Sequence, residues 1–453
     1  MGFKARVIGA GLAGSEAALQ LGARGIEVEL VEMRPEKGTA VHKTGACAEL
    51  VCSNSLKSTK PSSAAGMLKG ELTALGSKVF EAALRNAVPA GGALAVNRED
   101  FARDVTSMIE RDPHITLVRR EAGDVVEESV GVNALILATG PLTSDALAAS
   151  LGAVTGRAHL AFYDAAAPIV MADSLDMERL FRQSRYEEGA GDYVNAPFNK
   201  EEYEAFIDAL LQADRVIARD FESKDLFQAC QPIEEIARAG RDAPRFGPLK
   251  PVGLIDPATG RRPWAALQLR AEDAHGLCYN LVGFQTNLTF PEQRRVFRMI
   301  PGLENAEFAR YGVMHRNTFI DAPSLLDPTL RLGCAADAGC VAPVFVAGQL
   351  SGTEGYVEAI RSGLHAALSV AALARGVEVP TLPQEMVFGA LLAYATDVGT
   401  VDYQPSHVNF GMMVPLDRHI RQKQQRYEAY AKRGAEALEG YVAALAECGL
   451  TVQ

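Results

Sequence analysis

Residues 4–33 read KARVIGAGLAGSEAALQLGARGIEVELVEM, and this stretch decides the fold. A short apolar run leads into Gly9, Gly11 and Gly14, then a helix-like run, then a second strand-like run ending at Glu32. The glycines have G-x-G-x-x-G spacing. The first permits a tight turn, the second lets backbone approach a pyrophosphate, and the third lets helix pack on strand. The helix that follows offers free N–H groups and a partial positive charge to phosphates. Glu32 stands 18 residues after Gly14, where a carboxylate at a strand end can accept from ribose hydroxyls. Alone, such a glycine turn also occurs in α/β proteins that bind nothing there. The complete strand–turn–helix–strand context with its acid predicts a dinucleotide site. Its phosphate element is Gly9, Ala10, Gly11, Leu12, Ala13 and Gly14, with Glu32 at the ribose.

Two distant segments narrow the choice of dinucleotide. "ALILATGP" (134–141) reads as a buried strand whose end at Gly140 passes close to a bound nucleotide. "PVFVAGQLSGTEGYVEAIRSGLHAA" (343–367) reads as strand, glycine-rich turn and helix. Placed so late in the chain, it resembles the closing strand–turn–helix of FAD enzymes. Gly348, Gln349, Gly355 and Tyr356 thereby join the predicted FAD-binding set. In many such flavoproteins an Asp follows the strand-end glycine, and here Gln349 does.

The whole-chain properties bound the rest. At 453 residues, two domains are expected. A net charge of −11 gives no global basic field, so a polyanion would need a local patch. Glu16 and Gln20 interrupt the N-terminal apolar stretch, Arg6 stands where a myristoylation signal needs Ser or Thr, and no apolar run approaches the ~20 residues of a membrane span. Seven scattered cysteines without a C-x-x-C pair suit free thiols in a reducing cytoplasm and offer no zinc or other metal site. The expectation is a soluble cytoplasmic protein with no membrane partner.

"AELVCSNSLKS" (48–58) sets Cys52 among small polar residues, as if to face a ligand, with Lys57 close enough in sequence to help stabilise a thiolate. "FESKDLFQACQPIEEIA" (221–237) sets Cys230 just before an apparent helix start, where a helix dipole favours thiolate. For any single cysteine the plain alternative is an inert buried residue. That reading is kept for Cys47, Cys278, Cys334, Cys340 and Cys448.

The pattern A-G-Q-x-x-G-x-x-G-Y (347–356) resembles two related flavoenzyme families that modify tRNA. One is the wobble-uridine carboxymethylaminomethyl enzyme, which carries an additional C-terminal helical domain. The other is the folate- and FAD-dependent tRNA uracil-5-methyltransferase family. "HKTGACAELVCSNSLKS", "VPAGGALAVNRE", "FYDAAAPIV", "SRYEEGAGDYVNAP", "FGPLKPVGL", "LVGFQTNL" and "MIPGLENAEFARYGVMHRNTF" resemble only the second. They spread over most of residues 3–365. Val41 and Lys43 beside His42 depart from the family's tendency, and 327–343 looks expanded.

The resemblance implies transfer of a one-carbon unit from 5,10-methylenetetrahydrofolate to C5 of uridine 54 in the tRNA T loop. It implies FAD as electron donor and NADPH or NADH as its reductant, and it puts Cys52 and Cys230 on the family's catalytic positions. The chemistry suits thiols. C5 of uracil is a poor nucleophile until something adds to C6, which a thiolate does well near neutral pH, and a second group must then take the C5 proton.

Folate needs a flat surface and polar edge groups beside the flavin. His315 and Tyr356 are candidates for the first, Gln285 and Asn287 for the second. For tRNA phosphates the best patch is Arg238, Arg241, Arg245 and Lys250 near Cys230, with Arg261 and Arg262 beyond. Arg294–Arg298 and Arg418–Arg426 serve equally as solvated faces.

The expected fold is α/β: a discontinuous Rossmann-like FAD-binding domain (1–184 and 325–453) with an inserted α+β domain (185–324) on the tRNA and folate side. Asn199 and Glu202 are expected to cap a helix within the insert. Two other function classes stand beside the methyltransferase. One is a flavin oxidoreductase acting on a small molecule or disulfide, using the C-x-x-x-x-C pair Cys47 and Cys52. The other is a flavin-bearing RNA-binding protein without catalysis.

Overall fold

In a computed structural model, residues 2–39, 41–156, 160–165, 167–185, 191–216, 231–272, 276–312, 314–400, 403–418 and 420–451 are described. Cys230 lies outside them, as do the side chains of 160–165 and 314–318, His315 among them.

The opening stretch folds as its pattern requires. Strand Lys4–Ile8 leads through the glycine turn into helix Leu12–Gly22, and strand Glu27–Glu32 returns parallel to the first, with Val7 opposite Leu30. Parallel strands covered on both faces read as unbroken apolar runs. Accordingly all four residues of Ala134–Leu137 are buried. The sheet orders as 344–346, 134–137, 4–8, 27–32, 115–119, parallel throughout.

Helix Tyr356–Arg375 crosses Leu12–Gly22 at Gly363, where a Cβ would stand 2.1 Å from the Ala13 carbonyl oxygen, so only glycine allows this approach. That helix corrects one expectation from the sequence. It is long and apolar enough to cross a membrane by length and composition, with 89% of its apolar window buried inside the protein. Its apolar character serves the core. Helices Val387–Thr396 and Lys423–Glu447 pack on the same side, against Ala64–Ala74.

A second sheet is antiparallel, in the order 181–182, 194–198, 265–271, 278–281, 169–171, 308–310. Its own core includes Phe198, Phe206, Phe284 and Phe297, and helix Lys200–Gln212 covers it. Asn199 and Glu202 form the reciprocal capping box at that helix start. Strands 169–171 and 181–182, assigned by the sequence reading to the first domain, pair into this second sheet. A ribbon of Leu160–Ala165 against Met314–Phe319 runs between the two bodies.

Candidate active site

Two helix N-termini converge on one cavity of about 340 Å³. Gly9, Gly11, Leu12, Ala13, Glu32, Gly140, Gly348, Gln349, Gly355, Tyr356, Cys52 and Gln285 are among its walls. Ala10 and Gly14 stand behind it. The Ala10 N–H donates to Glu32 Oε2 at 2.8 Å, and a Cβ on Gly14 would come 1.8 Å from the Gly9 carbonyl oxygen. Gly9 itself has φ +96°, and a Cβ there would lie 2.7 Å from the Ala138 carbonyl oxygen. Thus the first and third glycines close the turn.

The second glycine has a different use. A Cβ on Gly11 would meet nothing within 4 Å, so this position looks onto open space at the helix start. Neither Leu12–Gly22 nor Tyr356–Arg375 has a side-chain cap, and both leave N–H groups and positive dipole ends toward the cavity. Gln349 Nε2 is buried without a hydrogen-bond partner among the described residues and belongs to the same wall. Burial opposes the charge on Glu32, but the Arg34 guanidinium at 2.8 Å and the N–H groups of Arg34 and Ala10 outweigh it. They hold the carboxyl below its usual range. An ionised acceptor at the strand end, two dipole ends and an open glycine suit a flavin dinucleotide.

Cys52 lies on the same wall, in a segment held from every side. The Tyr356 hydroxyl lies 2.8 Å from Cys52 Sγ and accepts from the N–H groups of Cys52 (3.0 Å) and Ser53 (3.2 Å). Arg98 donates to the carbonyls of Leu50 and Val51. Arg270 donates to Ser53 Oγ at 2.8 Å and Asn54 Oδ1 at 2.9 Å, and Asn54 Nδ2 bonds the carbonyls of Val96 and Ala271. The thiol loop is therefore fastened to the antiparallel sheet, to strand Ala93–Val96 and to helices Arg98–Arg111 and Tyr356–Arg375. Lys57, expected to support the thiolate, instead points its Nζ to Glu358 Oε1 at 3.5 Å.

The other sequence-predicted residues divide. Gln285 reaches the cavity; Asn287 is buried, its N–H donating to Glu234 Oε1 at 2.6 Å, and supports the turn behind it. His315 is paired with Asp164 in the ribbon between the two bodies. Cys47 is buried, bonds Thr106 through its N–H and does not line the cavity; burial pushes its thiol up to about 11. It is no partner for Cys52 in dithiol chemistry.

In the basic patch, Arg241 pairs with Asp208 at 2.6 Å, Arg238 donates to the Leu211 carbonyl, and the Arg245 guanidinium lies 3.7 Å from the Trp264 ring centroid. Arg261 and Arg262 are exposed. Sequence reading missed Arg98, Arg270 and Arg310. The signal was present for one of them: in "AALQLRA" Gln268 and Arg270 alternate with leucines, yet both are buried.

Residues 4–378 match the family model described as glucose inhibited division protein A. The methylenetetrahydrofolate–tRNA-(uracil-5-)-methyltransferase TrmFO of Symbiobacterium thermophilum is 51% identical over 96% of each chain. The chain belongs to the TrmFO family. The Bacillus subtilis relative of the same description is 48% identical over 96% of this chain and 97% of its own. Among solved structures, Aquifex aeolicus GidA in its form II crystal superposes with a TM-score of 0.70 at 17% identity, over 99% of this chain and 74% of that one. That likeness supports the α/β fold.

Proposed function

We propose that this chain transfers a one-carbon unit from 5,10-methylenetetrahydrofolate to C5 of uridine 54 in the tRNA T loop. Membership at about half identity across nearly the whole chain supports methylenetetrahydrofolate-dependent tRNA uracil-5-methylation over a small-molecule oxidoreductase and over the wobble-uridine enzyme. The observation that carries the mechanistic reading is the position of Cys52 on the wall of a cavity suited to a flavin dinucleotide.

In this reading the turn Gly9–Gly14 and the Tyr356–Arg375 N-terminus hold the FAD phosphates, Glu32 accepts from the ribose, and Gly140, Gly348 and Gln349 border the ring system. When bound, FAD supplies the electron pair that turns the transferred methylene into a methyl. NADPH or NADH is the proposed source of those electrons. Cys52, beside the cavity, acts on the C5 proton or the one-carbon unit, and Cys230 adds to C6 from the RNA side. Gln285 and Tyr356 border the folate position, with His315 and Asn287 its outer candidates. Arg238, Arg241, Arg245 and Lys250 take phosphates; exposed pairs such as Arg241–Asp208 are weak enough to exchange partners. We also propose the division into a discontinuous FAD-binding domain and an insert, its first junction moved from 184 to near 166 by the pairing of strands 169–171 and 181–182. The reaction is placed in the cytoplasm, without a membrane.

Purified protein with tRNA, methylenetetrahydrofolate and NADPH should form 5-methyluridine, and S-adenosylmethionine should not replace the folate. With a 5-fluorouridine T-loop RNA, Cys230→Ala should lose the covalent adduct while keeping FAD, whereas Cys52→Ala should lose turnover and keep the adduct. The reverse pattern would exchange the two roles, and normal methylation by both variants would end the thiol mechanism.

A further inference from the structure

The first half of helix Lys423–Glu447 and the loop before it concentrate positive charge in an acidic protein. Residues 414–433 contain Arg418, Arg421, Lys423, Arg426, Lys432 and Arg433 against only Asp417 and Glu428, while the whole chain carries −11. A charged helix face normally neutralises itself through pairs three or four residues apart. Here one such pair forms, Lys432 with Glu436 at 3.9 Å. The other five cations make no ion pair among the described residues, and Glu428 accepts from Gln424 at 2.9 Å instead.

Three aromatic rings lie among these cations. Phe410 stacks on Tyr427 at a centroid distance of 4.2 Å and tilts against Tyr430 at 5.3 Å. Lys423 and Arg426 stand over the Tyr427 ring at 5.5 and 5.8 Å, and Arg433 over Tyr430 at 5.3 Å. Positions 423, 426–427, 430 and 433 follow the spacing of one helix face, so rings and charges form a single stripe. The rings hold these cations in place without cancelling their charge. Arg433 also donates to the carbonyls of Val414 and Pro415, which fastens the loop across the helix.

The stripe adjoins the cavity. Val408, two residues before Phe410, donates its N–H to Glu358 Oε1 at 3.3 Å, and Glu358 lines the cavity beside Tyr356. Two residues of chain span at most about 7 Å. Positions 423 and 433 stand about 15 Å apart along the helix axis, too far for one small anion and suited to a run of backbone phosphates. A lipid surface would need apolar side chains to insert. Among the described residues of 414–447, only Val414 is an exposed large hydrophobic one.

We propose that this face binds the phosphate backbone of the tRNA from the first domain, complementing Arg238, Arg241, Arg245 and Lys250 on the insert. The proposal rests on the tRNA substrate argued above and adds where that substrate is held.

The test compares FAD-loaded parent protein with the combined Arg421→Gln, Lys423→Gln and Arg426→Gln variant, measuring affinity for an unmodified tRNA transcript between about 50 and 200 mM salt. Each lost phosphate contact lowers the slope of log affinity on log salt by about 1. The triple variant should therefore lose about 2–3 units of slope and bind about tenfold or more weakly at the upper salt. No described ion pair is broken, so flavin content and melting temperature should match the parent's. Lys432→Gln, whose charge already faces Glu436, should leave the slope unchanged. A parental slope in the triple variant would overturn the proposal and return the face to solvent. Equal flattening by Lys432→Gln would also overturn it, because net charge alone would then be read. A changed mass on gel filtration with an unchanged slope would overturn it in favour of an interface between copies of the chain. 5-Methyluridine formation by the parent is scored separately: tRNA held through this face without product would break the methyltransferase reading and leave the surface standing.

Discussion

The Tyr356 hydroxyl donates to Cys52 Sγ across 2.8 Å, and its direction follows from its other bonds. The phenol oxygen accepts the N–H groups of Cys52 and Ser53, which occupy both lone pairs, so its single proton is left for the sulfur. A donor to sulfur favours the thiolate over the thiol. Tyr356→Phe should leave two N–H groups without an acceptor, lowering stability by about 1–3 kcal/mol. It should also move Cys52 alkylation to higher pH. A melting temperature and alkylation profile both equal to the parent's would show that the hydroxyl carries neither task.

Gly11 has no neighbour within 4 Å of a Cβ, so substitution there spares the apoprotein and strikes only what fills the cavity. Gly11→Val should fold, melt near the parent apoprotein and purify colourless. Gly14→Val, whose side chain would run into the Gly9 carbonyl, should instead fail to fold. Flavin absorbance at parental stoichiometry in Gly11→Val would place the dinucleotide elsewhere.

The basic segment near Cys230 tests the RNA side. Combined Arg238→Ala, Arg241→Ala and Arg245→Ala should weaken tRNA binding and flatten its dependence on salt, each lost phosphate contact lowering the slope by about 1. Flavin content should not change. Arg245 is the most engaged of the three within the protein, since it lies over Trp264 and donates to the Trp264 carbonyl. Arg241→Ala alone should therefore account for more of the slope than Arg245→Ala. An unaltered slope in the triple variant would return these arginines to structural duty.

What the sequence disclosed was local, and what it hid was made by contact over distance. The turn Gly9–Gly14 and Glu32 stand within one strand–helix–strand unit, so spacing sufficed to find them. Asn199 and Glu202 are three residues apart and were legible as a cap. The thiol clamp was not legible, because Arg270 is 217 positions from Ser53, the neighbour of Cys52 that it bonds, and meets it only in the folded chain. Lys57 misled for the converse reason: nearness in sequence suggested an interaction with Cys52, whereas its Nζ goes to Glu358, 301 positions away. The membership of strands 169–171 and 181–182 in the antiparallel sheet was not legible either, because they are too short to show period-two alternation.

Glu234 supplies a prediction about pH. Its carboxyl is fully buried, accepts the Asn287 N–H at 2.6 Å and the Thr286 hydroxyl at 3.0 Å, and ties helix Ile233–Ala239 to the turn that carries Gln285. Burial pushes its pKa up from 4.5 to about 7; the hydrogen bonds oppose this, and the charge of Glu235 adds to it. Between those two values the unfolded chain has released the proton and the folded chain still holds it. Stability therefore falls as pH rises through that window and levels off above about 7. The full difference is about 3 kcal/mol at most. Glu234→Gln keeps an oxygen for Asn287 and an amide for Thr286 but cannot ionise. Its melting temperature relative to the parent should rise from pH 5 to about pH 7 and level off by pH 8, the variant gaining as the parent acquires a buried charge. Measured by thermal melts of both FAD-loaded proteins across that range, a constant difference would mean that Glu234 ionises as readily folded as unfolded. In that case its burial would not set the pH response of the turn behind the cavity.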